Sequence, residues 1–482
     1  MNDSSTLLKN LVIISLMLHC CAVLRAQDNL GIAGSTRAPV NTMLNNPSTI
    51  VDSRAFIDFN LIGASVFARN NLVVLDGKSF SRSMFDTMST VPLTSRKGAY
   101  HAYADVMVHG PSVTFAVKQH AFGIHTAARV AVDARGLPDE AKELILQGFQ
   151  YEANMGKQQT FKNVRSNALA WGEAGISYGT ILSRDGNAIL QGGATVKRLF
   201  GVAGVGLLVD NWTYTVQDSS RLETQTFTGE YGFNDPMAGG LLNGKGWGVD
   251  IGFTYKVRKS GSDDYIPHSP CTDGDYLYRF GVSILDFGKV NFNGPFYHNT
   301  FNQNESTEWQ DYQGTTADEI SDIDSLINNN FHLVEQNGKD GKFKMKLPTA
   351  VSAQLDYNLT HNFYVYGVIT YGLPRLNSLG VQRASYLGVA PRWETKRFEF
   401  SLPLSMYEWK YPQVGICMRL NSIIIGSDNL GWLLFNQDVY GADIYFSLKY
   451  TMFKHWKCKT KSKKQKPVIR RGARDPLPCP TW

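Results

Sequence analysis

His101, Asp105 and His109 share one parity in a stretch of alternating sequence, and their types suit a metal centre or a hydrolase. On a strand that rises roughly 3.3 Å per residue, residues four apart stand about 13 Å from one another, too far to ligate one ion. The chain has no G-x-S-x-G elbow, no H-E-x-x-H helix, no phosphate-binding P-loop and no paired C-x-x-C. No catalysis, cofactor or metal is expected. Further polar residues recur on alternate positions: Asp58, Asn60, His125, Arg129, Asp250, Arg279, Asp356, Glu399, Arg419, Asp443 and Lys449. Together they form either the lining of a solute path or a mutually paired network that fills an interior.

The elements that carry these residues have period two. Trp247, Val249, Ile251, Phe253, Tyr255 and Val257 alternate with Gly246, Gly248, Asp250, Gly252, Thr254 and Lys256. Met345, Leu347, Val351, Leu355 and Tyr357 oppose Lys346, Ser352, Gln354, Asp356 and Asn358, and Ile444, Phe446, Leu448, Tyr450 and Met452 oppose Asp443, Ser447 and Lys449. The pattern predicts an all-β chain of about 14 strands between residues 54 and 453. Segments 187–199 and 202–216 read as two strands, 383–394 as one and 413–425 as one. Gly110-Pro111 predicts a bend. The long excursions 134–165 and 291–344 each carry a short amphipathic helix pattern, one opening at Pro138 and one at Thr316. A count of fourteen puts these excursions on opposite sides. Counting 222–232 as well puts them on the same side but makes fifteen, so sixteen is the alternative.

Alternation does not say which face is buried. The chain has 482 residues, 12% aromatic, and only 19% charged against a typical ~25%. That much apolar surface excludes disorder for most of the chain. Mean hydropathy is −0.22, and no run of ~20 apolar residues exists to make a membrane helix. Fourteen long strands without a domain break are too many for one sandwich, and their polar faces mix small residues with charges of both signs. In lipid only a closed barrel satisfies every backbone group of a sheet. A transmembrane antiparallel β-barrel in the outer membrane is expected, in contact with outer-membrane lipid.

Lys9, the apolar run Leu11–Leu18 and Ala26 before Gln27 predict a signal peptide over 1–26. Residues 27–53 lack alternation yet contain Leu30, Ile32, Val40, Met43, Leu44 and Ile50, so they are expected to fold into the lumen as a hatch. Residues 54–453 make the barrel. Residues 454–482 carry seven Lys and three Arg against Asp475, a net +9 where the whole chain is +6, so the remainder is −3. This tail is expected on the periplasmic side, where it could dock an acidic partner; Cys458 and Cys479 flank it and could pair. The mildly acidic body gives no support for nucleic-acid binding.

Asn45-Asn46-Pro47-Ser48, with Asn29-Leu30-Gly31-Ile32-Ala33, Gly244-Lys245-Gly246-Trp247-Gly248, Gly426-Ser427-Asp428-Asn429-Leu430 and Gly441-Ala442-Asp443-Ile444-Tyr445, resembles a family of exported barrels of Bacteroidota defined only as a domain of unknown function. The resemblance spans about residues 28–453. More distantly the chain is similar to long-chain fatty acid transporter barrels, whose Asn-Pro-Ala step lies in a lumen hatch, and to barrel components of type IX secretion and gliding machinery. Asn46, Pro47 and Ser48 would then be hatch residues, with Ser48 departing from the transporter pattern. The resemblance implies passage of a small solute, hydrophobic if the cargo follows the fold. The alternative is a non-conducting scaffold that docks periplasmic or secreted proteins through its tail or outer loops.

Overall fold

The computed structural model describes residues 29–72, 98–140, 155–218, 221–234, 240, 242–259, 276–293, 295–310, 333–335, 342–360, 362–374, 378–430 and 440–453. The expected signal peptide, nearly all of both excursion helices, the basic tail, and Cys271, Cys458 and Cys479 lie outside these residues. Cys417 is a buried free thiol.

Fourteen strands close into one barrel. They are β1 (Ile57–Asn70), β2 (Tyr100–His109 and Ser112–Val117), β3 (His120–Leu137), β4 (Gln158–Asp185) and β5 (Ala188–Val216). Then come β6 (Arg221–Asn234 and Gly244–Arg258), β7 (Tyr276–Phe292, Phe296–Gln303 and Thr307–Gln310) and β8 (Leu333–Glu335, Phe343–Lys346 and Ala350–Asn358). The circuit ends with β9 (Phe363–Gly372), β10 (Tyr386–Glu394), β11 (Phe398–Ser401 and Leu404–Tyr407), β12 (Tyr411–Val414 and Ile416–Leu420), β13 (Ile423–Ser427) and β14 (Gly441–Met452). Each pairs antiparallel with the next, and β14 returns to β1 from Ile57↔Met452 to Arg69↔Gly441. Tight turns at the base use left-handed residues, Lys118 (φ 55°), Gly186 (φ 53°) and Asn421 (φ 52°).

The strand number matches the expectation, but several boundaries do not, among them the start of β10 at Tyr386 rather than at residue 383. Residues 187–216 form one strand rather than two: register shifts between Ala170 and Trp171 on β4 mark a bulge beside Gly201–Gly204, and a bulge mimics a turn in sequence. Residues 413–425 form two strands rather than one, because Asn421-Ser422 is a two-residue hairpin. The two errors cancel. Segment 222–232 is the upper part of β6, so both long excursions leave from the same end, opposite the base.

The alternation is inverted relative to a soluble protein. Asp250, Thr254 and Lys256 are buried while Trp247, Ile251, Phe253 and Tyr255 are exposed. At the base, Phe115, Phe122, Tyr178, Tyr255, Tyr357, Phe363 and Trp393 face outward as an aromatic girdle. On β6 the belt runs from Tyr255 to Trp247, over which Arg198 lies with its guanidinium 4.9 Å from the ring. Eight residues span roughly 26 Å along the strand, or about 19–21 Å of membrane at the usual 35–45° tilt, which covers most of the ~25 Å apolar band of an outer-membrane barrel. β4 and β5 are 28 and 29 residues long and rise well beyond that band. Their upper parts, with those of β6 and β7, enclose an apolar cluster that includes Phe161, Tyr214, Phe227, Tyr231, Phe233 and Phe301.

Parity also flips midway up β7 and β8. Met345 and Leu347 are buried although Val351, Leu355 and Tyr357, two or more steps along the same alternation, face out. Asp286 causes the matching flip on β7: it sits at φ 52°, next to the register shift between Val249 and Ile251.

The outer belt generates a direct expectation. Ile251→Arg, in the middle of the band, should destabilise the folded barrel by about 2–4 kcal/mol in a reversible unfolding titration, against about 0–1 for Gln119→Arg in a base turn.

Candidate functional site

Residues 29–55 lie inside the barrel. They form α1 (Leu30–Ala33), α2 (Pro39–Thr42) and a 3-10 helix (Pro47–Asp52), all too short to be stable alone. The wall holds them. Leu30, Ile32, Val40, Met43, Ile50 and Val51 are buried, so the apolar residues of this irregular segment find cover in the lumen.

Asn46 organises the 3-10 helix. Its Oδ1 accepts from Ser48 N (3.0 Å) and Ser48 Oγ (2.7 Å), capping the turn, and Pro47 fixes the first helical φ. Its Nδ2 donates to Gln354 Oε1 of β8 (2.9 Å). Ser48 Oγ also lies 2.7 Å from Thr254 Oγ1 of β6, a bond that the alanine of the transporter pattern could not make.

The wall beneath this turn is built of glycine. Gly179, Gly193 and Gly252 are direct cross-strand neighbours on β4, β5 and β6. A Cβ on Gly193 would stand 2.6 Å from Pro47 C and Ser48 N, on Gly252 2.1 Å from Asn46 Oδ1, and on Gly179 2.5 Å from Val51 Cγ2. Any larger residue would displace the turn. Glycine is disfavoured in strand interiors unless a backbone must approach closely, as here.

Charge holds the opposite side. The Leu30 and Gly31 amides donate to the Asp428 carboxylate (2.7 and 3.2 Å), which also accepts from Tyr445 OH (3.0 Å). Ser35 Oγ donates to Glu399 (2.8 Å), Thr36 Oγ1 donates to Glu394, and Arg37 Nε stands 3.3 Å from Glu394. Lys449 bridges Asp58 (2.9 Å) and the Arg37 carbonyl (3.3 Å). Arg279 donates to the Gly34 carbonyl (2.9 Å) and to Asp356. Arg392 grips Asp356 with both terminal nitrogens (3.0 Å each) and reaches Glu394 (3.2 Å).

All eleven sequence-chosen residues are placed, and they fall into separate groups. Asp58, Arg279, Glu399 and Lys449 touch the hatch directly. Asp356 (through Arg279 and Arg392), Arg419 (through Glu399, 2.9 Å) and Asp443 (accepting from Asp428 N, 2.9 Å) stand one step behind. Asn60 closes the bend at Gly110-Pro111 by donating to the Gly110 carbonyl (3.1 Å). His125, Arg129 and Asp250 belong to a higher layer. There Arg129 of β3 crosses the lumen to Asp286 of β7 (3.0 Å) and Lys197 of β5 bridges Asp286 (2.6 Å) and Asp250 (2.8 Å). Asp105 joins this layer 3.5 Å from Arg129, away from any shared site with His101. Arg392, Glu394, Lys197 and Asp286 escaped the sequence reading. The first three lie on the inward parity and were legible; Asp286 was not, because its left-handed backbone breaks the parity.

A polar gap lies at the seat. A cavity of about 30 Å³ lies among Asn46, Thr49, Gln191, Thr254, Gln354 and Tyr366. Both amide atoms of the buried Gln191 lack a protein partner, and the volume suffices for water to meet them.

Ions buried this way are costly when one partner is lost. Arg392→Met, which strands Asp356 and weakens the hold on Glu394, should lower stability by about 3–5 kcal/mol, read from the denaturant midpoint, whereas Arg221→Met at the exposed rim should leave that midpoint unchanged within error.

Solved structures of similar shape include the toluene transporter TbuX of Ralstonia pickettii (TM-score 0.41, 11% identity, 90% of this chain and 100% of that one). The toluene transporter TodX of Pseudomonas putida is similar at TM-score 0.40 and 11% identity, over 89% of this chain and 97% of that one. A FadL homologue of Pseudomonas aeruginosa gives TM-score 0.31 and 9% identity, over 90% and 100%. No curated protein matches the sequence. The profile of a family of unknown function, DUF5723, matches residues 47–428, from the Pro47 of the hatch to Asp428 at its charged clamp, and the chain belongs to that family.

Proposed function

We propose that this protein is an outer-membrane barrel that passes a small solute only when its N-terminal hatch leaves the seat. The observation that carries this is the form of the seat. On β4–β6 the hatch turn rests against glycine backbone with Ser48 and Asp52 bonded to Thr254 and Lys256, and elsewhere it is held by side-chain hydrogen bonds, ion pairs and buried apolar side chains. Among the described residues, the apolar part of this hold is divided among three separate clusters rather than one continuous core. The segment is a separate body in a shaped socket, and a wall stiffened only by its own side chains would need no socket. The outward apolar belt and the aromatic girdle support a location in lipid. The transport named for the similar structures is theirs, and the cargo of this chain is not fixed by that likeness.

A second reading is favoured by the layer above the hatch. Arg129, Asp286 and Lys197 bridge the lumen, and Trp171, Leu199, Phe292 and Phe343 pack beside them. A barrel filled twice over also suits a scaffold that conducts nothing and docks proteins through its tail or outer loops.

A reversible lock separates the two. A Cβ on Gly31 would stand 2.3 Å from both Cys417 Cβ and Tyr445 Oη, against the ~3.5–4.5 Å between Cβ atoms of a disulfide. Gly31→Cys must therefore move α1 by more than about 1 Å before it bridges to the native thiol and pins the hatch to β12, and the reduced variant is the control for that displacement. In proteoliposomes containing full-length protein, uptake from a panel of small neutral solutes should stop on oxidation of this variant and return on reduction, with the parent unaffected by either treatment. Uptake that ignores the lock contradicts the hatch as the gate. Absence of uptake by the parent for every solute favours the scaffold.

A further inference from the structure

Residues 383–394 were expected to be one strand, but β10 starts at Tyr386 and residues 378–385 fold into the lumen from the top. Leu379 and Val381 are 3% and 1% exposed, within the apolar cluster of Trp171, Leu208, Phe292 and Phe343. Backbone bonds fasten them to β8: Lys346 N donates to the Leu379 carbonyl and Val381 N to the Lys346 carbonyl, each at 3.2 Å. Between them Gly380 (φ 154°) passes so close that a Cβ would lie 2.7 Å from Lys346 Cβ.

The wall has a second socket here. Gly206 of β5 and Gly232 of β6 are cross-strand partners, and a Cβ on either would stand 2.7 or 3.0 Å from a Leu379 methyl carbon. This repeats the arrangement at the hatch, where Gly193 and Gly252 of the same two strands make room for Asn46-Pro47-Ser48. Gly206 lies about 13 residues above Gly193 on β5, roughly 40 Å along the strand. Polar contacts complete the hold from across the lumen. Gln382 N donates to Asp133 Oδ1 of β3 (3.0 Å), and Arg383 reaches Asp286 (3.3 Å), the carboxylate already shared by Arg129 and Lys197. An inward loop seated on carved glycine and clamped by a buried carboxylate has the construction of the hatch, at the other end of the lumen.

We propose that residues 378–385 are a second plug in series with the hatch, so that nothing crosses the barrel unless both are displaced. This rests on the hatch-gated passage proposed above. It follows that a solute arriving from the top must first free Leu379 and Arg383, and that freeing the hatch alone leaves the lumen closed.

The test uses full-length protein in planar bilayers, with each barrel checked for heat-modifiable migration. Gly193→Leu unseats the hatch; Leu379→Ser with Arg383→Ala unseats the loop; Gly206→Leu displaces Leu379 from the wall side and serves as an independent loop variant if the first folds poorly. Each single site should conduct within about twofold of the parent, and Gly193→Leu combined with either loop variant should conduct at least tenfold more. If Gly193→Leu alone reaches the level of the combination, the loop is no barrier and only the hatch gates. If the loop variants alone reach it, the hatch is no barrier in series. A folded combination as silent as the parent overturns the second plug, and the Gly31→Cys lock then decides the hatch separately.

Discussion

A charge enclosed by a closed wall is tolerable only with the opposite sign within reach, and this pairing requirement arranges everything inside the barrel. The backbone of the strands is satisfied by the ladder. The inward side chains have no such automatic partner, and alternation forces many of them to be polar once the apolar ones face lipid. Asp58, Asp356, Glu394, Glu399 and Asp428 meet that demand partly with Lys449, Arg392 and Arg419 from the wall and partly with the hatch, whose Arg37, Thr36, Ser35 and α1 amides supply the rest. The segment 29–55 is therefore a counter-charge and hydrogen-bond donor for its own wall.

Both of its sides combine close packing with polar bonds. Against β4–β6 glycines let the turn approach the wall, and Ser48 with Thr254 (2.7 Å) and Asp52 with Lys256 (2.7 Å) fix it there; against β8 and β10–β14 it is held by a network of ions and hydrogen bonds. A buried ionic network resists strongly until water enters, and then loses much of its hold as the dielectric rises. The gap beside Gln191, lined also by Thr254 and Gln354, has a volume that water can occupy.

Much of this was legible in the sequence, and the parts that were not have identifiable causes. The alternation of Trp247–Val257 and its counterparts gives the strands, their number and mixed-charge polar faces point to a barrel, and the apolar but non-alternating residues 27–53 point to an interior segment. What failed was parity across irregularities. Gly201–Gly204 looked like a turn because a bulge shifts the period by one, and Asn421-Ser422 was overlooked because a two-residue hairpin hardly interrupts it. Asp286, the residue on which the upper layer converges, hides behind its left-handed backbone. Pairings such as Leu30 with Asp428 join opposite ends of the chain, and local pattern carries no information about them. The glycines of the sockets were visible as residues, but their purpose appears only with Pro47 and Leu379 seated against them.

The central claim is that residues 29–55 are a seated plug rather than a loose leader. Hydrogen exchange on the full-length protein in lipid tests it most directly. The amides of Ile32, Ala33, Asn41, Thr42, Met43 and Thr49 donate within the hatch and lie in the lumen. The account predicts that they exchange orders of magnitude more slowly than an unstructured segment, and that Gly193→Leu, with the wall strands still protected, collapses this protection. Exchange of these amides at the rate of a free peptide in the parent protein would contradict it.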